Sequence, residues 1–191
     1  MATTKQELRT RFKAMRSSIP ADERMRIDRG ITDQVLGLPE YEQASVLFAY
    51  LSFGTEIETR DIIRDAWSRG KDVALPRCVP GTRDMVFHRV ESFDNLVKSK
   101  LGVEEPAEDS ATLIDPTVTD GALVLVPGMT FDARGYRLGY GGGFYDVLLS
   151  QFQGTSVGLC RECQLSDRVE ALDEHDLPAQ IVVTENAVLR A

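Results

Sequence analysis

Hydrophobic and polar positions along the chain follow two periods, one typical of helices and one of buried strands. Near the start, apolar residues recur at the spacing of one helical face: Leu8, Phe12, Met15 and Ile19. Thr4 followed by Glu7 is a capping-box pattern, so we expect this helix to begin at Thr4. The pattern predicts a second helix over 21–36.

Short apolar runs further along predict the strands of a sheet. They lie at 45–52, 71–76, 85–90, 122–127, 155–160 and 179–184, the last being the final predicted strand. Helices are predicted over 56–70 and from 142 to 152, and the acidic stretch 102–121 is predicted to be a loop. Strands that alternate with helices favour a parallel or mixed sheet covered on both faces. The expected fold is α/β, a three-layer α/β/α sandwich of Rossmann-like type.

Composition limits the classes of protein to consider. The length of 191 residues, with 42% hydrophobic and 27% charged residues, predicts one globular domain over 1–191. A net charge of −8 argues against nucleic acid or anionic membranes as partners. No apolar run is long enough to span a membrane, and the charged N-terminus lacks the apolar core of a signal peptide. We expect a cytoplasmic protein, a monomer or a weak homodimer.

The three cysteines are Cys78, Cys160 and Cys163, an odd number that argues against a disulfide scaffold. Cys160 and Cys163 form a CxxC pair, but zinc would need two more ligands, and the chain has only two histidines, His88 and His175. We interpret the pair as thiols at a buried strand end and favour this interpretation over a metal-binding or redox role.

A glycine-rich stretch, RGYRLGYGGGFYD (134–146), follows the predicted strand 122–127. Its glycines are Gly135, Gly139, Gly141, Gly142 and Gly143. Ligands bind at the carboxyl ends of strands in such sheets. Bare backbone N–H groups, the start of a helix, and the guanidinium groups of Arg134 and Arg137 would suit a phosphate there. The alternative is a turn that only joins strand to helix. The P-loop, GxGxxG and GxSxG motifs are absent, since Phe144 stands where GxGxxG needs its third glycine.

A basic stripe on the first predicted helix adds to this interpretation. It consists of Lys5, Arg9, Lys13 and Arg16. A solvated helix face is the simplest explanation of such a stripe. Lys5, however, would lie in the first turn, where the helix dipole disfavours a cation. A cation is better placed there if an anion shares the site.

The sequence RLGYGGGFYD resembles the signature of the 5-formyltetrahydrofolate cyclo-ligase family. Further segments occur in the order typical of that family: KQELR, LSFGTEIET, ALPR, VEEP, LVPGMTFDARGYRLGYGGGFYD and EHD. The resemblance implies conversion of 5-formyltetrahydrofolate and ATP to 5,10-methenyltetrahydrofolate, ADP and phosphate. It implies Mg²⁺ as cofactor, ATP as co-substrate, and a reaction in which the formyl oxygen is phosphorylated before N10 closes the ring.

The same resemblance implies a role for particular residues. ATP would be bound by Lys5, Arg9, Arg137, Leu138, Gly139, Tyr140, Gly141, Gly142, Gly143, Phe144 and Tyr145. The folate would be bound by Phe53, Glu58, Tyr140, Gly141, Gly142, Gly143 and Phe144. Asp146 and Asp176 would be metal ligands, and Arg137, Tyr140 and Asp146 the catalytic residues. Arg77 is a further candidate phosphate contact, and His175 has no assigned role.

Each acid also has a purely structural interpretation. Glu58 could be an acid that favours a helix's first turn, and Asp146 a helix-start acid facing solvent. Two other functions stay open from the residues alone. One is a sugar-phosphate isomerase or CoA-transferase-like enzyme of the same architecture, which would need no ATP. The other is a non-catalytic module that binds folate or nucleotide.

Overall fold

A mixed eight-stranded sheet forms the centre of the protein in a computed structural model, which describes residues 4–99, 102–170 and 172–191. The helices are α1 (Lys5–Ser18), α2 (Ala21–Leu36), α3 (Pro39–Gln43), α4 (Arg60–Ser68) and α5 (Phe144–Leu149). The first six strands are β1 (Val46–Phe48), β2 (Asp72–Cys78), β3 (Met85–Arg89), β4 (Leu96–Lys98), β5 (Glu104–Pro106) and β6 (Leu113–Ile114). The others are β7 (Ala122–Val126), β8 (Thr130–Phe131), β9 (Arg137–Leu138), β10 (Thr155–Leu159), β11 (Ile181–Val183) and β12 (Val188–Arg190).

The sheet has the strand order β12-β11-β10-β7-β1-β2-β3-β6. The five strands from β11 to β2 in this order are parallel, and β12, β3 and β6 are antiparallel to their neighbours. Two hairpins, β4–β5 and β8–β9, lie outside the sheet. The expected α/β class with a mixed sheet is confirmed, while a single domain over 1–191 stays a prediction.

Alternate residues of the central strands point to opposite faces, which gives the molecule two apolar layers. On one face the strands pack against α2 and α4 through Leu47, Val73, Leu123, Leu125, Ile31, Val35, Ile62 and Ile63. On the other face they pack against α5 and the β8–β9 hairpin through Val46, Phe48, Val124, Val126, Phe131 and Leu148. Helices therefore cover both faces, as the three-layer prediction requires.

The predicted helix boundaries hold at the N-terminus and fail later. Thr4 caps α1 as expected, with its Oγ1 accepting from Glu7 N at 3.2 Å and its N–H donating to Glu7 Oε2 at 2.8 Å. The range of α2 agrees with the prediction. The helix predicted over 56–70 is shorter in the structure: α4 begins at Arg60, and residues 56–59 are not helical. The last predicted helix is confined to the six residues of α5.

Some predicted strands and loops were wrong. The strand over 45–52 ends at Phe48, since Tyr50 O accepts from Thr59 Oγ1 at 2.5 Å and not from a neighbouring strand. The supposed loop 102–121 contains β5 and β6, and β12 follows the strand expected to be last. Among the described residues, none of the helices has both the length and the apolar character that a membrane span needs.

Candidate active site

A cavity of about 1320 Å³ opens at the carboxyl ends of β1, β2 and β7. Tyr50 and Leu51 follow β1, Arg77 and Cys78 end β2, and Pro127 follows β7, and all of them line it. The chain passes from β1 to β2 on one side and later returns to β7 on the other, so the strand order reverses here. This is the position where open α/β sheets bind ligands.

Residues 139–143, here called the glycine loop, form one wall of the cavity. The loop follows β9 and not β7 directly, because the β8–β9 hairpin intervenes. Gly141 has φ +103° and Gly143 has φ +73°, left-handed conformations that other residues rarely adopt. A Cβ on Gly141 would lie 3.3 Å from the guanidinium carbon of Arg9. Since α5 has only six residues, its dipole adds little, and the anion-binding character depends on loop backbone and nearby cations.

Two cations of α1 reach this wall. Lys5 Nζ lies 2.7 Å from Asp173 Oδ2 and 2.7 Å from Asp176 Oδ2. Burial alone would lower the pKa of Lys5, but the two carboxylates outweigh it and raise that pKa. Arg9 Nε donates to Gly139 O at 2.9 Å. The expected anion beside Lys5 is therefore present, as the chain's own carboxylates.

Arg137 and Asp146 form an ion pair at the base of the same wall. Arg137 Nη2 donates to Asp146 Oδ1 at 2.7 Å, and Nη1 donates to Leu177 O at 2.7 Å. Burial lowers the pKa of Arg137, while Asp146 opposes that change. Asp146 Oδ1 also accepts from Leu177 N at 3.4 Å. Asp146 thus faces inward, which contradicts its interpretation as a helix-start acid facing solvent.

The two predicted metal ligands, Asp146 and Asp176, both line the cavity. In the described parts of the chain, no group of three or more His, Cys, Asp or Glu side chains could hold a metal ion. A Mg²⁺ ion commonly binds through one or two carboxylates, with phosphate oxygens and water completing its shell. The donor set therefore fits Mg²⁺ that arrives with a polyphosphate, and does not form a complete protein site.

Residues 52–59, here called the 52–59 loop, form a second wall through Phe53 and Glu56. Phe53 is 54% exposed at the cavity, and its N–H donates to Glu56 Oε2 at 2.9 Å. Both residues line the cavity. The loop brings an aromatic ring and a carboxylate to the cavity that the glycine loop also lines.

Glu58 occupies a different position from the other predicted residues. Its Oε1 accepts from Thr59 N at 3.0 Å, Arg60 N at 2.9 Å and Ser52 Oγ at 2.9 Å. Partial burial opposes ionisation, but these donors and the Arg60 guanidinium outweigh it and lower the pKa of Glu58. The side chain caps the start of α4 and does not line the cavity. Its contact with folate stays a prediction.

Tyr140 lies where the two walls meet and is 47% exposed. Its hydroxyl accepts from Arg16 Nη1 at 2.5 Å, and the Arg16 guanidinium lies 5.4 Å from the centre of its ring. Burial raises the pKa of Tyr140, and the negative charge of Glu56 adds to the rise. The hydroxyl is therefore held in its protonated form.

The structure brings nearly all the predicted residues to one cavity. Its lining includes Lys5, Arg9, Phe53, Arg77, Arg137, Leu138, Gly139, Tyr140, Gly141, Gly142, Gly143, Phe144, Tyr145, Asp146 and Asp176. Arg77 Nη1 forms an ion pair with Glu105 Oε1 at 3.0 Å and donates to Pro106 O at 3.0 Å. The expectation for Arg134 was wrong, because it pairs with Asp132 Oδ2 at 2.6 Å, stacks on Tyr136 and does not line the cavity.

The sequence patterns did not identify two buried arginines, Arg16 and Arg161, as part of the structure around the site. Arg16 was interpreted as part of a solvated stripe, yet it is 6% exposed, whereas Lys13 of the same stripe is exposed. Arg161 lies between the cysteines of the CxxC pair, and its buried guanidinium binds Asp28 at 2.7 and 2.9 Å. Cys160 and Cys163 are both free thiols. No periodic signal marks a buried arginine, so only the tertiary structure identifies these two.

Comparison with known proteins identifies the family to which the chain is similar. The model of the 5-formyltetrahydrofolate cyclo-ligase family matches residues 1–185. The 5-formyltetrahydrofolate cyclo-ligase of Haemophilus influenzae is 32% identical over 164 residues, which cover 84% of this chain and 87% of that protein. The enzyme of that name from Escherichia coli K12 is 29% identical over 181 residues, covering 93% and 98%.

Solved structures show the same fold. The Aquifex aeolicus 5,10-methenyltetrahydrofolate synthetase superposes with a TM-score of 0.84 at 30% identity, covering 97% of this chain and 92% of that one. The Mycoplasma pneumoniae 5,10-methenyltetrahydrofolate synthetase, at 19% identity, has a TM-score of 0.75 and covers 96% of this chain and 99% of its own. With its family-model match spanning 1–185, the chain belongs to the 5-formyltetrahydrofolate cyclo-ligase family.

Proposed function

We propose that this protein converts 5-formyltetrahydrofolate to 5,10-methenyltetrahydrofolate at the expense of ATP, with Mg²⁺, releasing ADP and phosphate. One observation carries the proposal. A single cavity joins a glycine loop with its attached cations to a wall that presents Phe53 and Glu56. The first wall has the chemistry for a polyphosphate, and the second has the chemistry for a flat heterocycle with polar edges.

The ATP phosphates are assigned to Lys5, Arg9, Arg137 and the glycine loop. Lys5 and Arg9 lie one helical turn apart on α1 and both line the cavity. Lys5 forms ion pairs with Asp173 and Asp176. Phosphate oxygens would replace these carboxylates as its partners, and Asp176 would then be available to a metal ion.

The Mg²⁺ ion is assigned to Asp146 and Asp176, since hard carboxylate oxygens beside phosphate are what this ion prefers. When bound, the ion would supply positive charge that offsets the negative charge of the phosphates. The chain's own contribution is to hold Asp146 against Leu177 N and Arg137, which fixes where its carboxylate can meet the nucleotide. Asp146 thus has a defined position within the protein's own hydrogen bonds.

The folate is assigned to the 52–59 loop and to Tyr140. Phe53 would stack against the pterin or flank it, an apolar contact that orients the ring. The pyrimidine edge of a pterin offers adjacent N–H donors, which a carboxylate accepts as a pair. The family resemblance assigns that role to Glu58, whose Oε2 has only a 3.4 Å contact with Arg60 Nη1 and is the less occupied of its two oxygens. Glu56 is the neighbouring carboxylate that lines the cavity.

The reaction proceeds in two displacements. The formyl oxygen attacks the γ-phosphorus, the bond to the β-phosphate oxygen breaks, and ADP leaves. N10 then adds to the activated formyl carbon and loses its proton, and the C–O bond breaks as the phosphate departs with its electron pair and takes up that proton. The protein supplies positioning and fixed positive charge more than covalent chemistry. Arg137, buried and held by Asp146 and Leu177, is a preorganised cation that needs little rearrangement to meet developing negative charge.

A coupled product assay tests the proposal. Purified protein is mixed with 5-formyltetrahydrofolate, ATP and Mg²⁺, and the absorbance of the methenyl product is followed together with ADP. Equal amounts of both products, with neither formed when folate or ATP is omitted, are expected. Methenyl formation without ATP would indicate a different reaction, and tight binding of both ligands without turnover would indicate a binding module.

A further inference from the structure

A buried arginine behind the cavity is left without a role by the proposed function. Arg16 lies on α1, the helix that carries Lys5 and Arg9, but it is only 6% exposed and does not line the cavity. Burying a guanidinium is costly unless its donors are satisfied. The partners of Arg16 therefore indicate what its burial achieves.

Those partners belong to two different walls of the cavity. Arg16 Nη1 donates to the Tyr140 hydroxyl at 2.5 Å, and its guanidinium covers the Tyr140 ring at 5.4 Å. Arg16 Nε donates to Thr55 Oγ1 at 2.8 Å. Tyr140 belongs to the glycine loop and Thr55 to the 52–59 loop. A single side chain thus joins α1, the nucleotide wall and the folate wall.

A second arginine holds the 52–59 loop from the other side, but in a different way. Arg161 Nη1 donates to Thr55 O at 3.1 Å, and Nη2 donates to Glu56 O at 3.3 Å. Asp28 neutralises Arg161 at 2.7 Å. These bonds fix the backbone of the loop against α2. The bonds of Arg16 instead fix the loop relative to Tyr140.

We propose that Arg16 is a positioning residue for the folate side of the site, setting Tyr140 against Phe53 and Glu56 before either substrate binds. This inference depends on the proposed function. The planar fork of an arginine can bond Tyr140 and Thr55 while stacking on the tyrosine ring, and a lysine cannot make all three contacts. Loss of the fork removes the bond between Arg16 and the Tyr140 hydroxyl, which affects the folate wall more than the phosphate contacts of Lys5 and Arg9.

Steady-state kinetics of Arg16→Lys, Tyr140→Phe and the double variant test this role. Losing one charge-assisted hydrogen bond predicts that Arg16→Lys raises the KM for 5-formyltetrahydrofolate about tenfold, with a much smaller change in the KM for ATP. The effects of the two changes on the folate KM should be less than multiplicative in the double variant, because both changes remove the bond between Arg16 and Tyr140. Lys13→Met, an exposed change on the same helix, should alter neither KM.

Three results would overturn the inference: an unchanged KM for folate in folded Arg16→Lys, equal increases in both KM values, or multiplicative effects in the double variant. Should Arg16→Lys fail to fold, Thr55→Val removes the other bond while keeping the side-chain shape. It should raise the KM for folate by about threefold and leave that for ATP unchanged, and no change would again contradict the proposal. Methenyl formation by the parent protein separates this outcome from failure of the proposed function itself.

Discussion

The two walls of the cavity are built in different ways. The glycine loop takes its shape from its own sequence, since Gly141 and Gly143 adopt positive φ angles that the glycines permit. The 52–59 loop takes its position from side chains far away in sequence, with Arg16 bound to Thr55 Oγ1 and Arg161 bound to Thr55 O and Glu56 O. The backbone conformation of the first wall is specified locally, whereas the position of the second wall depends on contacts from distant parts of the chain.

This difference predicts that substitutions will act differently on the two walls. A change in the glycine loop should remove activity while the fold survives, because its backbone carries the chemistry. A change around the 52–59 loop should alter binding and stability together, because the same bonds position the ligand contacts and hold the loop in the core. The following variants test the contrast, from the largest expected effect to the smallest.

Gly141→Val should have the largest effect on turnover. Valine opposes the φ of +103°, and its Cβ would lie 3.3 Å from the guanidinium carbon of Arg9. We expect kcat/KM to fall at least about 100-fold, comparable to the loss of an oxyanion-hole donor. The matched control is Gly70→Val, with φ +71° and no atom within 4 Å of the added Cβ. Thermal unfolding should show a similar loss of stability in both variants, while Gly70→Val keeps its turnover. Equal activity in the two would mean that the glycine loop is only a connector.

Asp146→Asn keeps the side-chain shape and removes the negative charge that faces Arg137. We expect roughly a tenfold to hundredfold fall in rate and a Mg²⁺ titration shifted to higher concentration, since a charged ligand and a charge-assisted bond are lost together. Asp173→Asn is the control, because Asp173 also lines the cavity and pairs with a cation, Lys5, but is not assigned to the metal. A Mg²⁺ curve for Asp146→Asn that overlays that of the parent would contradict the metal assignment.

Glu58→Gln should weaken folate binding at least about tenfold and leave ATP binding unchanged, if the family role of Glu58 applies here. The hydrogen bonds that Glu58 accepts from Thr59 N and Arg60 N at the start of α4 should also weaken, because glutamine carries no negative charge. Because the pKa of Glu58 is lowered in the folded protein, this stabilisation is present above the ordinary carboxyl pKa and disappears as pH falls through the folded value. The difference in melting temperature between parent and variant should therefore shrink in acid.

Glu56→Gln is the matched variant, two residues earlier in the same loop and on the cavity lining. Calorimetric titration with 5-formyltetrahydrofolate separates the two acids. If Glu58→Gln loses stability and keeps its folate affinity, while Glu56→Gln loses affinity, the carboxylate that binds the pterin is Glu56.

The sequence predicted the local features of the fold well. The capping box at Thr4, the full range of α2 and the buried central strands depend on patterns within a few residues, and the structure confirms them. The short strands β5, β6 and β12 were missed because each owes its conformation to pairing with a partner strand. The helix start at Arg60 was missed because the carboxylate of Glu58 accepts from Thr59 N and Arg60 N ahead of α4.

The same distinction applies to the site. The glycine loop, Lys5 and Arg9 were found from motif and spacing, and they do lie together on the cavity. The burial of Arg16 and the ion pair between Arg161 and Asp28 join residues that are distant in sequence, and neither leaves a local pattern. Arg134 looked equivalent to Arg137 in sequence. Their side chains lie in different places, because Arg134 pairs with Asp132 whereas Arg137 pairs with Asp146.

The central claim is that one wall binds ATP and the other binds folate. Isothermal titration of Arg9→Ala and Phe53→Ala with each ligand separately tests it most directly, with circular dichroism to confirm folding. Arg9→Ala should bind ATP at least about tenfold more weakly and 5-formyltetrahydrofolate normally, and Phe53→Ala should show the reverse pattern. Unchanged ATP affinity in Arg9→Ala, or the same loss of both ligands in both variants, would contradict the division of the cavity into two walls.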